Sequence, residues 1–212
     1  TPLLLRAAPR IAASLHHTSN EEAELEKITE QSAELQGHVV ICGFGRVGQS
    51  IGRFLHRENQ DFIALDYDPD QIQKANKTES TVHYGDARRG DLLRAVGLDR
   101  ARLLVIAVDN TEIAMSVLKE ARLITIAVPI LVRTRDDSRL TELKAAGATE
   151  VVPELLESSL MLASHALILL GLPERTVRHR VDEVRHNRYH LLEGCFESSE
   201  PLDTPGFPRD DE

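Results

Sequence analysis

Short apolar runs and amphipathic stretches alternate along the middle of the chain. The apolar runs, each of strand length, cover residues 38–43, 62–65, 81–84, 103–108, 128–132 and 150–152. Stretches with helical periodicity lie between them, at residues 47–56, 71–76, 91–96, 111–122 and 137–146. Near-continuous apolar strands that alternate with helices are typical of a parallel sheet covered on both faces. The pattern predicts the α/β class, with a Rossmann-like doubly wound sheet of about six strands over residues 37–153.

The two ends of the chain have other patterns. Residues 21–36 are mostly Glu, Gln, Lys and Ser with few apolar positions, which indicates a solvated helical or loosely ordered segment, and we assign residues 1–36 to a linker. Residues 154–193 are predicted to form C-terminal helices: a strongly apolar stretch at 158–171, then an Arg-rich helix. The apolar stretch is expected either to make dimer contacts or to cover the sheet of its own domain. Residues 194–212 are acidic and Pro-rich, which predicts a disordered tail.

Charge narrows the classes of partner. The 212 residues include 25 Lys and Arg against 34 Asp and Glu, for a net charge of -9. An acidic chain is not attracted to nucleic acid in general, so we expect no nucleic-acid partner. The arginines of the last predicted helix are therefore expected to form a solvated face or an anionic-ligand pocket. They are Arg175, Arg178, Arg180, Arg185 and Arg188.

A glycine-rich motif follows the first predicted strand and opens the first predicted helix. It comprises Gly43, Phe44, Gly45, Arg46, Val47 and Gly48. In this setting the first glycine permits a tight turn, the second lets the backbone approach a pyrophosphate, and the third allows close helix packing. Arg46 is expected either to contact phosphate or to lie exposed at the helix start.

Asp66 ends the second predicted strand. It follows the glycine motif at about the sequence separation of the carboxylate that accepts hydrogen bonds from an adenosine ribose in such folds. A solvated strand-end carboxylate is the alternative. A carboxylate there repels a 2′-phosphate, which favours adenosine nucleotides or NAD over NADP. Asp68 is expected to cap the next helix or to form a turn with Pro69, and Asp86 either to cap the helix after the third strand or to face adenine.

Signs of catalysis are missing from the sequence. It contains no Gly-x-Ser-x-Gly, no His-Glu-x-x-His and no clustered metal ligands among its nine histidines. His165, on the apolar stretch, is expected to be packed rather than catalytic. Binding without chemistry, and hence no enzyme, is the favoured interpretation. A small NAD-dependent oxidoreductase whose substrate site is completed by a partner chain is the alternative.

Several segments together resemble the TrkA-N domain, also called RCK or KTN, and most closely the C-terminal domain of Kef-type glutathione-regulated potassium efflux systems. They are VVICGFGRVG at 39–48, ALDYDP at 64–69, YGDA at 84–87, LLRAVG at 92–97, IAVDN at 106–110, VRTRD at 132–136 and LKAAGATEVVPE at 143–154. The resemblance implies phosphate binding by the glycine motif, ribose binding by Asp66, an adenine side at Asp86 and Ala87, and Asp109 at the edge of the fourth strand. AMP or NAD(H) is the implied ligand, with ATP and ADP as alternatives.

The resemblance also implies partners. A membrane antiporter or potassium channel domain, absent from this chain, is expected to precede the linker. That would place the domain on the cytoplasmic face of the inner membrane, as a homodimer, with an ancillary regulatory subunit as a further partner. In the Kef pattern an arginine of the fifth strand and an asparagine of the C-terminal helices bind glutathione, and Arg133 or Arg135 and Asn187 are the nearest matches. The run around Asn187 departs from that pattern.

Overall fold

A computed structural model describes residues 24–75 and 81–186. Its core is a six-stranded parallel sheet with the strand order β3-β2-β1-β4-β5-β6. The strands are β1 Val39–Cys42, β2 Phe62–Asp66, β3 Val82–Tyr84, β4 Leu103–Ile106, β5 Ile130–Thr134 and β6 Glu150–Pro153. The predicted doubly wound fold and all six predicted strands are confirmed. The chain changes direction across the sheet between β1 and β4, where such folds bind ligands.

Helices connect the strands, and others precede and follow the sheet along the chain. A first helix, α1, occupies residues 24–32. The others are α2 Arg46–Arg57, α3 Pro69–Ala75, α4 Gly90–Ala95, α5 Thr111–Ile124, α6 Leu140–Ala145, α7 Glu154–Leu169 and α8 Glu174–His186, with a short 3-10 helix at Leu98–Arg100. No helix in residues 24–75 or 81–186 is both long and apolar enough to cross a bilayer.

Both faces of the sheet are buried. On one face Ile63, Leu65 and Ile106 belong to a large cluster that α4 and α5 complete, and on the other Ile41 and Phe44 pack with smaller side chains. Cys42 at the end of β1 is fully buried, and burial raises the pKa of its thiol to about 12. Alternate side chains of each strand point to opposite faces, which is why nearly continuous apolar runs mark these strands.

The segment at residues 24–36 is helical at its start, but it is not solvated throughout. Ile28 is fully buried in the large cluster, and Leu25 and Leu35 pack against it. Arg100 donates from Nη2 to the carbonyl of Ser32 at 2.7 Å and from Nε to that of Leu35 at 3.1 Å. These bonds satisfy carbonyls that a helix leaves unpaired at its C-terminal end. The helix α1 is therefore part of the folded domain.

The chain divides after Pro153 into two compact units, and the second contains α7 and α8. These two helices contact each other, and Arg185 forms a two-pronged ion pair with Glu157, at 3.0 Å from Nε and 2.6 Å from Nη2. Val177 and Val184 of α8 are buried. The prediction that His165 is packed is wrong, because this side chain of α7 is exposed.

Candidate functional site at the carboxyl edge of the sheet

The glycine motif makes a sharp turn between β1 and α2. Gly43 has φ of 93°, and a Cβ there would lie 2.9 Å from the backbone nitrogen of Val108. A Cβ on Gly48 would lie 2.2 Å from the carbonyl oxygen of Gly43. Both positions therefore exclude a side chain for reasons of packing within the protein itself. At Gly45, by contrast, a Cβ would meet nothing within 4 Å, which leaves room for a ligand against the backbone.

The N-terminus of α2 lacks the groups that usually neutralise a helix start. Gly45 is the N-cap residue and gives no side-chain cap, and the first turn of α2 contains no acidic residue. The helix α5 at the same edge is different, because the Asn110 side chain accepts hydrogen bonds from the amides of Glu112 at 2.9 Å and Ile113 at 3.1 Å. Uncapped amides and the positive end of a helix dipole favour an anion such as phosphate at α2.

Asp66 ties the glycine motif to the end of β2. Its Oδ2 accepts a hydrogen bond from the amide of Phe44, and its Oδ1 accepts one from the amide of Asp68 at 2.8 Å. A carboxylate has further lone pairs, so these bonds leave it able to accept from a ribose hydroxyl. Asp68 accepts from the amide of Asp70 at 2.9 Å, which confirms its predicted role at the start of α3.

The remaining residues predicted for the nucleotide site also lie near the carboxyl edge of the sheet, but they differ in exposure and in hydrogen bonding. The side chain of Arg46 is exposed, Val47 packs against the smaller apolar cluster with Ile41 and Phe44, and Ala87 is buried. Asp86 does not cap α4, which begins four residues later with Arg89 as its N-cap. Instead Asp86 accepts from the amide of Arg88 at 3.0 Å, and its side chain pairs with the Arg88 guanidinium. That pairing holds the pKa of the Asp86 carboxyl below its usual value.

Arg133, the candidate glutathione residue on β5, is engaged within its own domain. Its Nη2 lies 2.9 Å from Oδ1 of Asp109, and its Nη1 donates to the carbonyl of Ala107 at 3.4 Å. Arg135 is exposed, and Asn187 lies outside the described residues. The ion pair joins the carboxyl ends of β4 and β5, two neighbouring strands.

Sequence reasoning missed three contributors to this edge. Gln49 donates from its amide to the carbonyl of Phe44 at 3.1 Å and to Gln71 at 3.0 Å, so it braces the loop against α3. Tyr67 and Tyr84 place their ring centroids 5.4 Å apart. The signal for the tyrosines was available, because Tyr67 lies within the ALDYDP segment and Tyr84 within the YGDA segment. Nothing in the spacing of Gln49 marks it.

Comparisons with known proteins identify the family. Residues 39–154 match the TrkA-N domain. A protein of Alkalimonas amylolytica assigned as a K(+) efflux antiporter, KefB, is 46% identical over 79% of this chain, and the glutathione-regulated potassium-efflux protein KefC of Cronobacter sakazakii is 34% identical over 93%. The chain covers 25% and 31% of these two relatives.

A solved structure covers nearly the same region. The C-terminal domain of Shewanella denitrificans Kef, solved in its AMP-bound form, is 32% identical with a TM-score of 0.63, over 74% of this chain and 98% of that one. Together with the motif match, this similarity extends over the sheet and the edge just described. The chain belongs to the TrkA-N family and, within it, to the C-terminal domains of Kef-type potassium efflux proteins.

Proposed function

We propose that this chain is the nucleotide-sensing regulatory domain of a potassium efflux or cation–proton antiporter. The observation that carries the proposal is the uncapped N-terminus of α2 beside Asp66, at the point where the strand order reverses. This arrangement offers backbone amides to a phosphate and a carboxylate to a ribose, and the hydrogen bond from the Phe44 amide to Asp66 joins the two.

AMP is the ligand with the most support, and NAD(H) is the alternative. The Shewanella relative was solved with AMP, and its sequence is similar enough for the same ligand to be expected here. The second helix at this edge, α5, is capped by Asn110 and has Glu112 in its first turn, so it offers less to a second phosphate group. A nucleotide with its phosphate on α2 alone fits these charges best.

The domain would act on the transporter by a shift between two arrangements. A ligand biases such an equilibrium only through its different affinity for the two states. The helix α1 is suited to transmit this shift to the transporter. Arg100 hydrogen-bonds the end of α1 to the rest of the domain, and the transport domain is expected to precede α1 in the chain. We place the domain on the cytoplasmic face of the membrane that holds the transporter, as a homodimer, with an ancillary subunit as a further partner.

The oxidoreductase alternative is not favoured. The relatives of this chain are potassium efflux proteins. Glutathione remains a second proposed regulator. Its support is the name of the Cronobacter relative and the exposed Arg135 near the paired Arg133.

A matched pair of variants tests the nucleotide site. In Gly45→Ala the added methyl group meets no protein atom within 4 Å but occupies the space in which a phosphate would approach the backbone. We expect its melting temperature without ligand to equal that of the wild type, and its AMP affinity by calorimetry to fall at least about tenfold. Asp66→Ala should also weaken AMP, by removal of the ribose acceptor and of the bond to Phe44.

Glu26→Ala, on the exposed side of α1, serves as the control and should bind AMP like the wild type. Absence of AMP, ATP and NAD(H) binding in the wild-type protein would overturn the proposal. Equal affinity of wild type and Gly45→Ala would show that nucleotide binds elsewhere.

A further inference from the structure

The order of the strands fixes where the base of a bound nucleotide lies. This inference rests on the proposed nucleotide site, with phosphate on α2 after β1 and ribose on Asp66 at the end of β2. The ribose separates phosphate from base, and β3 is the next strand beyond β2. The base therefore points toward the carboxyl end of β3, where Tyr84 ends the strand and Gly85, Asp86 and Arg88 follow.

Two tyrosines give this end an aromatic surface. Tyr67 immediately follows Asp66, and its side chain is 65% exposed. Its ring contacts that of Tyr84 with the centroids 5.4 Å apart and the planes inclined at 32°. One face of Tyr67 is thereby supported by Tyr84 while much of the ring stays accessible. Accessible aromatic rings bind nucleobases by stacking, with little dependence on which base is bound.

The polar group at this end is an ion pair instead of a free carboxylate. Arg88 donates from Nε to Asp86 Oδ1 at 2.9 Å and from Nη2 to Asp86 Oδ2 at 2.6 Å. In the part of the chain that the structure describes, Nη1 of Arg88 has no hydrogen-bond partner, and the side chain is 54% exposed. The edge thus presents carboxylate acceptors and guanidinium donors next to each other.

This pairing changes which bases the edge accepts. A free carboxylate accepts hydrogen bonds only, so one that faces position 6 of a purine suits the 6-amino group of adenine and repels the 6-oxo group of guanine. An arginine donates to the O6 and N7 atoms of guanine, which is a frequent specific contact to that base. An edge that contains both groups can satisfy either purine.

We propose that Tyr67 and Arg88 determine the base specificity of this site, and that the site accepts purine nucleotides with a 6-amino or a 6-oxo group. Tyr67 supplies the stacking surface. Arg88, held in place by Asp86, supplies the donors that make guanine acceptable. Neither residue binds phosphate or ribose, so their replacement alters base preference without removal of the anchoring contacts.

Calorimetry with AMP, GMP and CMP tests the proposal. We expect wild-type protein to bind AMP and GMP within about tenfold of each other, and CMP more weakly because its ring offers a smaller stacking area. Arg88→Ala should weaken GMP by about tenfold or more while AMP affinity stays the same or rises, since Asp86 becomes free to accept from the amino group. Tyr67→Ala should weaken both purines by about tenfold, and Tyr67→Phe should retain them.

Arg89→Ala is the matched control. It removes the same charge one residue along, from a guanidinium paired with Asp91 at 2.6 Å, and should leave the AMP to GMP ratio unchanged. Wild-type rejection of GMP by more than about a hundredfold, or an equal effect of Arg88→Ala on AMP and GMP, would overturn the inference. If AMP binding is lost in Asp66→Ala but the ratio does not respond to Arg88, only this inference fails. If no nucleotide binds at all, the proposed function fails with it.

Discussion

His83 is a buried histidine in the middle of β3, with a side chain that is 4% exposed. Neither ring nitrogen has a hydrogen-bond partner within the described residues, and Nδ1 lies 3.6 Å from Oε1 of Glu24 on α1. Burial lowers the pKa of His83 below 6.5, an effect that Lys27 reinforces and Glu24 opposes. His38 is similar: its Nε2 donates to the carbonyl of Val96 at 2.8 Å, and burial lowers its pKa.

These two histidines make the stability of the domain depend on pH in a predictable direction. Below about pH 6.5 the unfolded chain binds protons that the folded domain does not, so the free energy of unfolding falls as the pH falls. We expect urea unfolding to show this loss between pH 7.5 and 5.5, at up to about 1.4 kcal/mol per pH unit for each buried histidine. In His83→Leu the free energy of unfolding should fall less over this pH range, and the remaining fall should be the contribution of His38. An unchanged pH dependence in that variant would contradict the assignment.

The limits of sequence reasoning are clearest in α1. Leu25, Ile28, Ser32 and Leu35 recur at helical spacing, but a serine occupies one position of the stripe and the surrounding residues are charged. The serine is buried because its hydroxyl donates to the carbonyl of Ala95, a partner that lies 63 positions away in the sequence. No local pattern reveals such a bond. The strands and the glycine loop were predictable because their physical requirements are local. The role proposed above for Arg88 was not, because it depends on the order of the strands in the sheet.

Replacement of Ile28 tests whether α1 belongs to the folded domain. Ile28→Ala removes a fully buried side chain from the large apolar cluster and should lower the free energy of unfolding by about 2–5 kcal/mol. Glu26→Ala, on an exposed position of the same helix, should change it by less than about 0.5 kcal/mol. Chemical denaturation followed by circular dichroism measures both. Similar small effects in the two variants would mean that α1 detaches without cost to the domain.

At the scale of the whole molecule, α7 carries an apolar stripe that stays exposed among residues 24–75 and 81–186. Leu155, Leu162 and Leu169 follow one another at seven-residue spacing and are 47%, 73% and 88% exposed. Met161 adds to the stripe at 60% exposed. Exposed apolar stripes of this kind mark contacts between proteins, and the expected homodimer would bury this one.

Light scattering after size exclusion tests the homodimer. We expect wild-type protein to have twice the mass of one chain, and a double variant with Leu162→Glu and Leu169→Glu to have the mass of a single chain with an unchanged melting temperature, because both side chains are exposed. Arg178→Glu, which reverses a charge on an exposed position of α8, should remain dimeric. A wild-type protein that is monomeric at a concentration of tens of micromolar would contradict the prediction. A double variant that stays dimeric would show that the interface lies outside this stripe.

The burial of Cys42 bears on how glutathione would act on this domain. A thiol with a pKa of about 12 and no exposed surface is protonated at neutral pH, and only the thiolate attacks a disulfide or an electrophile. Cys42 adjoins the glycine loop in sequence, yet its burial leads us to expect no mixed disulfide there while the sheet is intact. Regulation by glutathione at this edge would therefore be reversible binding, which responds to the concentration of glutathione and does not modify Cys42 covalently.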